Sequence, residues 1–237
     1  FTDWAFRCPP HALLMRKGEH SASEARMRVV IAAMIDLRLP DRRRLVLLSR
    51  TRWTSQRERF YSPFGGALRA KPDGRDALEA RFDLVWEGAG DDADDLRVSI
   101  PTRDAEAFVE AVLNMPDNRR EHAEGAWREL VEELVDEHGL LEHEDVRHGV
   151  GALKRIGTYR TESVSSNPEL ARPSRTRYVF ETYAACVRGR AAAKLEHALT
   201  KGDPPDVIAL AEGDGLKEDA WGPLTVAPDV AAMFIPT

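Results

Sequence analysis

The chain has almost no cysteine. Cys8 and Cys186 are the only two in 237 residues, which excludes a disulfide scaffold and any zinc site built from cysteine alone. A reducing cytoplasm is the simplest setting for such a chain. No run approaches the ~18 apolar residues needed to span a membrane, so no membrane partner is expected. The opening Phe1-Thr2-Asp3-Trp4 has neither a basic n-region nor an apolar h-region, and does not read as a secretory signal. Excess positive charge is missing too. Lys and Arg number 34 against 40 Asp and Glu, for a formal net charge of -6 and a pI near 5.7. Nucleic-acid binding by bulk electrostatics is therefore not expected.

What is present suffices for a folded core. Hydrophobic residues make up 43% and charged residues 31% of the chain, the balance of a globular protein rather than a disordered one. The length fits one generous domain or a domain with an appendage. Residues 1–26, with Pro9-Pro10, read as a short leader, and residues 27–237 as the domain itself. There is no internal repeat.

One stretch asks for a specific chemistry: Arg128-Glu129-Leu130-Val131-Glu132-Glu133. On a helix each residue advances ~100°, so Glu129, Glu132 and Glu133 share a face. Ala123, Trp127, Leu130 and Leu134 fall on roughly the opposite face, as a core stripe should. Three carboxylates on one turn repel by a few tenths of a kcal/mol per pair. A hard divalent cation such as Mg²⁺ would convert that repulsion into a binding site. The plainer reading is a solvated acidic face in which Arg128 pairs with Glu132 at i, i+4.

The surroundings favour the first reading. The runs Val29-Val30-Ile31-Ala32-Ala33-Met34-Ile35 and Leu45-Val46-Leu47-Leu48 read as strands, separated by the turn-like Pro40-Asp41-Arg42-Arg43-Arg44. Arg59-Phe60-Tyr61 reads as a third. It leads into Ser62-Pro63-Phe64-Gly65-Gly66, where paired glycines allow a sharp turn or a close backbone approach.

Strand, strand, Pro-x-Gly-Gly and an R-E-L-x-E-E helix together resemble the Nudix hydrolase superfamily, whose helix carries E-x7-R-E-U-x-E-E-x-G-U with U apolar. Three departures stand out. About sixty residues separate Gly66 from Arg128, where the family usually has a dozen or so. Arg120 stands where the family pattern has its first glutamate. Leu134-Val135-Asp136-Glu137-His138-Gly139 replaces the x-G-U end, so the helix is expected to run a turn longer until Gly139 caps it. With Asp95 to Pro101, Phe108 and Arg120-Glu121, this pattern is similar to the SMODS-associated Nudix group of bacterial conflict systems, which act in antiviral defence.

The resemblance implies a Nudix-like α/β/α sandwich with a mixed β-sheet and a long insertion, at about residues 69–120, before the Nudix helix. It implies that Glu129, Glu132 and Glu133 hold Mg²⁺ or Mn²⁺, with Arg128 orienting them and Glu132 and Glu133 serving catalysis. Gly65 and Gly66 would let the loop pack beside the metals. A further carboxylate is expected from Glu121, Glu181, Glu212 or Glu218. The implied substrate is a nucleoside diphosphate linked to another moiety, cleaved at its pyrophosphate. The competing implication is a nucleotide sensor with weak or no hydrolysis. The sequence leaves room for a homodimer.

Arginines supply further candidates. Arg42-Arg43-Arg44, Arg50, Arg52, Arg57 and Arg59 cluster in sequence, and as a strip they would grip phosphate, Arg50 and Arg52 foremost. A charged hairpin edge is the plain alternative. Residues 161–176 read as a loop bordering the substrate, flanked or carried by Arg160, Arg172, Arg175 and Arg177. Elsewhere, Lys71-Pro72-Asp73-Gly74 reads as a turn and Gly88 to Asp95 as an acidic loop. Val98 to Ile100 reads as a strand, followed by a helix capped by Thr102 and ended by Pro116. The acidic helix spans about Glu121 to His138. Strands follow at Val150–Tyr159, Tyr178–Arg188 and Val207–Leu210, with a short helix near Ala191–Leu199.

Overall fold

Apolar residues run almost unbroken from Met27 to Leu39, and they form the long strand on which much of the fold is built, with Val29, Ile31, Ile35 and Leu37 wholly inaccessible to solvent. The structure is a computed structural model that describes residues 5–6, 25–53, 59–88, 90–165, 174–201 and 205–210. The described elements are β1 (Ala5–Phe6), β2 (Arg26–Arg38), β3 (Arg44–Trp53), β4 (Arg59–Ser62), α1 (Pro72–Arg81), β5 (Val85–Trp86), β6 (Arg97–Pro101) and α2 (Ala105–Leu113). There follow α3 (Ala123–Val131), α4 (His143–Gly149), β7 (Lys154–Ser165), β8 (Ser174–Cys186), α5 (Gly189–Ala198) and β9 (Val207–Leu210). This is an α/β fold consistent with the Nudix-like class. Among the described residues no helix is long and apolar enough to cross a membrane.

The chain divides into two compact units. The first comprises Phe1–Ile31, Ala67–Glu121 and Arg160–Val179, the second Ala32–Gly66, His122–Tyr159 and Phe180–Thr237.

In the first unit, β2 pairs antiparallel with β6 from Arg26↔Pro101 to Val30↔Arg97, and β5 adds to β6 through Val85↔Ser99. The turn expected at Lys71–Gly74 is instead the start of α1. Pro72 occupies the first helical turn, where its missing N–H costs nothing. Thr102 does not cap α2 through its side chain: it opens a short 3₁₀ turn, Thr102–Asp104, and its hydroxyl donates to the Ala25 carbonyl at 2.9 Å. Helix α2 buries Phe108, Val109 and Val112 completely.

The described residues of the stretch 161–176 are strand rather than loop, since β7 continues to Ser165 and β8 begins at Ser174; residues 166–173 lie outside the described residues. Its arginines are engaged within the protein. Arg160 reaches Glu106 and Glu110, each at 2.7 Å, and Arg177 joins Glu106 and Glu162, each at 2.6 Å. Arg175 also pairs with Glu162. These groups fasten α2 to strand residues; Arg172 lies outside the described residues.

In the second unit, β2 meets β3 through Leu37↔Leu45, and β3 carries β4 and β9 in antiparallel register. The turn between β2 and β3 places Arg42 at φ 70°. Arg43 pairs with Asp41 at 2.6 Å, and buried Arg44 pairs with buried Asp36 at 3.2 Å. This part of the arginine cluster is structural. The side chains of Arg50, Arg52, Arg57 and Arg59 lie outside the described residues.

Helix α4 was not evident from the sequence. It is short and polar, and a capping box between Glu142 and Asp145 starts it. Asp145 is buried, bonded to Lys194 and 3.2 Å from Arg190, both on α5. Gly149 allows α4 to approach α5 closely, because a Cβ there would lie 2.4 Å from that of Ala191.

The hydrogen bond from Lys194, with help from the Glu142 amide and Arg190, holds the Asp145 carboxyl below its ordinary range. A depressed pKa in the folded state contributes stability that is whole above the unfolded value of ~3.9 and lost as pH falls through the folded value. Melting temperatures measured against pH should therefore fall more steeply below about pH 5 for the wild type than for Asp145→Asn. Parallel curves would show that Asp145 contributes nothing to acid lability.

Candidate functional site

The acidic helix is built by its buried face. Ala126, Leu130 and Leu134 are completely inaccessible and recur every four residues; Gly125 is also buried. The packing stripe is thus shifted from the expected one, with Ala123 exposed and Trp127 half-buried. Burying a leucine side chain contributes about 1.5–3 kcal/mol, so Leu130 and Leu134 anchor the helix strongly. The glutamates occupy the remaining, half-buried side.

The helix is not uniform. After Val131 it continues as a π-helix over Glu132–Glu137, marked by the His138 amide donating to the Glu133 carbonyl at 3.2 Å. Gly139, at φ 59°, then ends it. The amides of Leu140 and Leu141 both return to the Leu134 carbonyl, at 2.9 and 3.1 Å. Single π turns inside helices recur at functional sites, and here the widening begins at the paired glutamates.

Arg128 runs along the acidic face. Its Nη1 lies 2.6 Å from Glu129 Oε1 and 3.2 Å from Glu132 Oε1. Both carboxylates therefore converge on one cationic nitrogen, which offsets their mutual repulsion. Glu133 is held from another direction: its Oε2 accepts the Gly65 amide at 2.8 Å.

The glycine loop is set by β2. Ile35 donates to the Phe64 carbonyl and Ala33 to that of Gly66, each at 2.8 Å. Gly65 has φ 137°, and a Cβ on it would sit 2.1 Å from the Ala33 carbonyl oxygen. A Cβ on Gly66 would sit 1.9 Å from Glu129 Oε2. Each glycine is therefore required, the first by the strand and the second by a glutamate. The loop and the helix, about sixty residues apart in sequence, meet here.

Among the described residues no group of three or more His, Cys, Asp or Glu is gathered as a metal cage. The donor set nonetheless fits a hard divalent ion in kind. Its atoms are carboxylate oxygens, and two of them already converge on a single positive charge.

The other expected carboxylates, where described, have partners of their own. Glu121, in the first unit, accepts the Arg69 amide at 3.0 Å. Glu212 and Glu218 lie outside the described residues. Glu181 is wholly buried, bonded to Arg155 at 3.0 Å and to the Tyr183 hydroxyl at 3.1 Å, with His122 Nδ1 at 3.9 Å. His122 is the residue before α3. This His-Glu-Arg-Tyr group was not foreseen as a cluster, because its members are spread over sixty residues and share no local pattern. Arg120, where a glutamate was sought, is wholly buried, and its guanidinium donates to the Glu121 carbonyl at 3.0 Å. It is a structural residue of the first unit.

The family model for the SMODS-associated NUDIX domain matches residues 26–229. No curated protein and no solved structure matches the chain.

The two glycines should fail differently when substituted. Gly65→Ala forces a side chain into a conformation reserved for glycine and should cost about 1–3 kcal/mol, seen as a lower denaturation midpoint. Gly66→Ala meets only the mobile end of a glutamate, so the protein should fold nearly as stably while Glu129 is displaced. Equal losses of stability in the two variants would contradict this division.

Proposed function

The chain belongs to the SMODS-associated Nudix family, and from that premise we propose that it is a divalent-metal-dependent hydrolase. Its substrate is a nucleoside diphosphate linked to another moiety, and the bond cleaved is the pyrophosphate. The observation that carries this reading is the meeting of the Gly65-Gly66 loop with Glu129 and Glu133. A merely solvated acidic face has no need of a backbone amide aimed at one carboxylate and a missing Cβ beneath another.

Glu129, Glu132 and Glu133 would hold Mg²⁺ or Mn²⁺. When bound, such an ion neutralises diphosphate charge and makes a water molecule more acidic. The residues of the chain do the rest. The Gly65 amide fixes one oxygen of Glu133, so that side chain is oriented before ligand arrives. Arg128 keeps Glu129 and Glu132 adjacent, at a position where cation and guanidinium would compete for Glu132. Gly66 leaves the space that Glu129 occupies, and Leu130 and Leu134 fix the helix rigidly behind all three. Preorganised carboxylates of this kind reduce the reorganisation needed at the reacting phosphate.

A second reading is supported by Arg120 and Arg128. A buried arginine replaces the family's first glutamate, and a cation of the protein itself already bridges Glu129 and Glu132. Both favour a nucleotide-sensing module with weak or no hydrolysis, serving a bacterial antiviral signalling system.

Turnover separates the two. The protein, with Mg²⁺ or Mn²⁺, would be screened against nucleoside diphosphate sugars, ADP-ribose, dinucleoside polyphosphates and nucleoside triphosphates. Hydrolysis should appear with a member of the first classes, and Glu132→Gln or Glu133→Gln should lower it by at least ~10²-fold. Tight binding without turnover supports the sensor. Turnover that survives both substitutions removes the acidic helix from the chemistry.

A further inference from the structure

The first unit contains a groove of about 550 Å³ between α1 and α2, lined by no residue of the acidic helix. Small residues open it: Ala77 on α1 faces Ala107 and Ala111 on α2, with fully buried Leu78 among the residues that line it. Met115 and Pro116 line it as well. A cavity of a few hundred Å³ with apolar walls is the size that small organic ligands occupy.

Four of its lining residues are polar, two of them cationic. Arg81, Arg119, Asn114 and Glu110 line it. Glu110 is already neutralised by Arg160, at 2.7 Å. Arg119 forms no ion pair among the described residues, and the Arg81 guanidinium lies over the Phe82 ring at 5.0 Å. Among the described residues neither Arg81 nor Arg119 forms an ion pair, so the groove presents two positive charges beside an apolar slot.

Arg119 is also fixed in place. Its amide donates to the Pro116 carbonyl at 2.9 Å, and its own carbonyl accepts the Lys71 amide at 2.8 Å. Gly74 lets α1 come close, since a Cβ there would lie 1.9 Å from the Arg119 oxygen. The backbone carrying this guanidinium is thus braced before any ligand arrives.

We propose that the α1–α2 groove is a second binding site, for a ligand with a flat apolar body and a phosphate group, as in a nucleoside monophosphate. The ring enters between Ala77, Ala107 and Ala111 and rests on Leu78, and thioether–ring contact with Met115 favours an aromatic body over an aliphatic one. Asn114 offers an amide to the ring edge. Arg81 and Arg119 take the phosphate, for which paired guanidiniums are the preferred partners. This site is independent of the hydrolase reading, because none of its residues belongs to the acidic helix or the glycine loop.

Calorimetric titration of the full chain with adenosine monophosphate, in excess EDTA, tests the site with divalent metal removed. Binding should be seen, and Glu133→Gln should leave it unchanged. Arg119→Ala, at an exposed position, should weaken it about tenfold or more. Ala111→Trp, which fills the slot, should abolish it. Inorganic phosphate and benzoate, titrated in parallel, should bind far more weakly. The proposal is overturned if the nucleotide does not bind, if Arg119→Ala and Ala111→Trp leave its affinity intact, or if phosphate or benzoate binds as tightly.

Discussion

The second unit depends on a single contact, between the backbone of Gly65 and the carboxylate of Glu133. It joins a loop held by β2 to a helix held by Leu130 and Leu134, so two separately anchored pieces become one surface. A hydrogen bond to an ionised group contributes about 1.5–3 kcal/mol, more than any one exposed ion pair supplies. The contact also carries strict demands. Gly65 must adopt φ 137° beneath the Ala33 carbonyl, and Gly66 must leave Glu129 its space. Two glycines are thereby tied to two glutamates, although neither pair is adjacent in the chain.

Charge is handled differently at the site and in the core. The buried carboxylates Asp36, Asp145 and Glu181 are each matched by cations: Arg38 and Arg44, Lys194 and Arg190, and Arg155. Such pairs are strongly destabilised when one partner is removed, because the other charge is left stranded. At the acidic helix three glutamates stand together on a half-exposed face, with Arg128 beside Glu129 and Glu132 and the Gly65 amide on Glu133. Under the proposed function, this carboxylate face is what a hard cation would meet.

Much of this was legible in the sequence, and the limits have physical causes. Short apolar runs rich in β-branched and aliphatic residues announced β2 and β3, and the spacing of Glu129, Glu132 and Glu133 announced their common face. Gly139 announced the end of the helix, because glycine alone reaches φ 59° without strain. Helix α1 was hidden because Pro72-Asp73-Gly74 is good turn chemistry and equally good helix-start chemistry; only the packing of Gly74 against Arg119 decides. Helix α4 was hidden because it is short and its stability comes from Asp145 reaching Lys194, a partner almost fifty residues away. Arg160 and Arg177 looked like ligand-binding residues because their glutamate partners on α2 are at least as distant. The same distance concealed His122, Arg155 and Glu181 as one group.

The departures from the Nudix pattern become intelligible once the packing is known. The parts of the motif that must touch are the glycine pair and the run from Arg128 to Glu133, and these are the parts retained. The position of the missing first glutamate belongs to a different compact unit, where Arg120 serves backbone carbonyls instead. Val135 stands where the family has its glycine after the paired glutamates. Leu134 extends the buried stripe of the helix by one further layer and caps it from within, its carbonyl accepting two amides. The added turn is accommodated as a π-helix starting at Glu132, so the longer helix keeps Leu134 buried while the glutamates stay on the outer side. The chain has thus conserved the geometry around the carboxylates while rebuilding what lies before and after them.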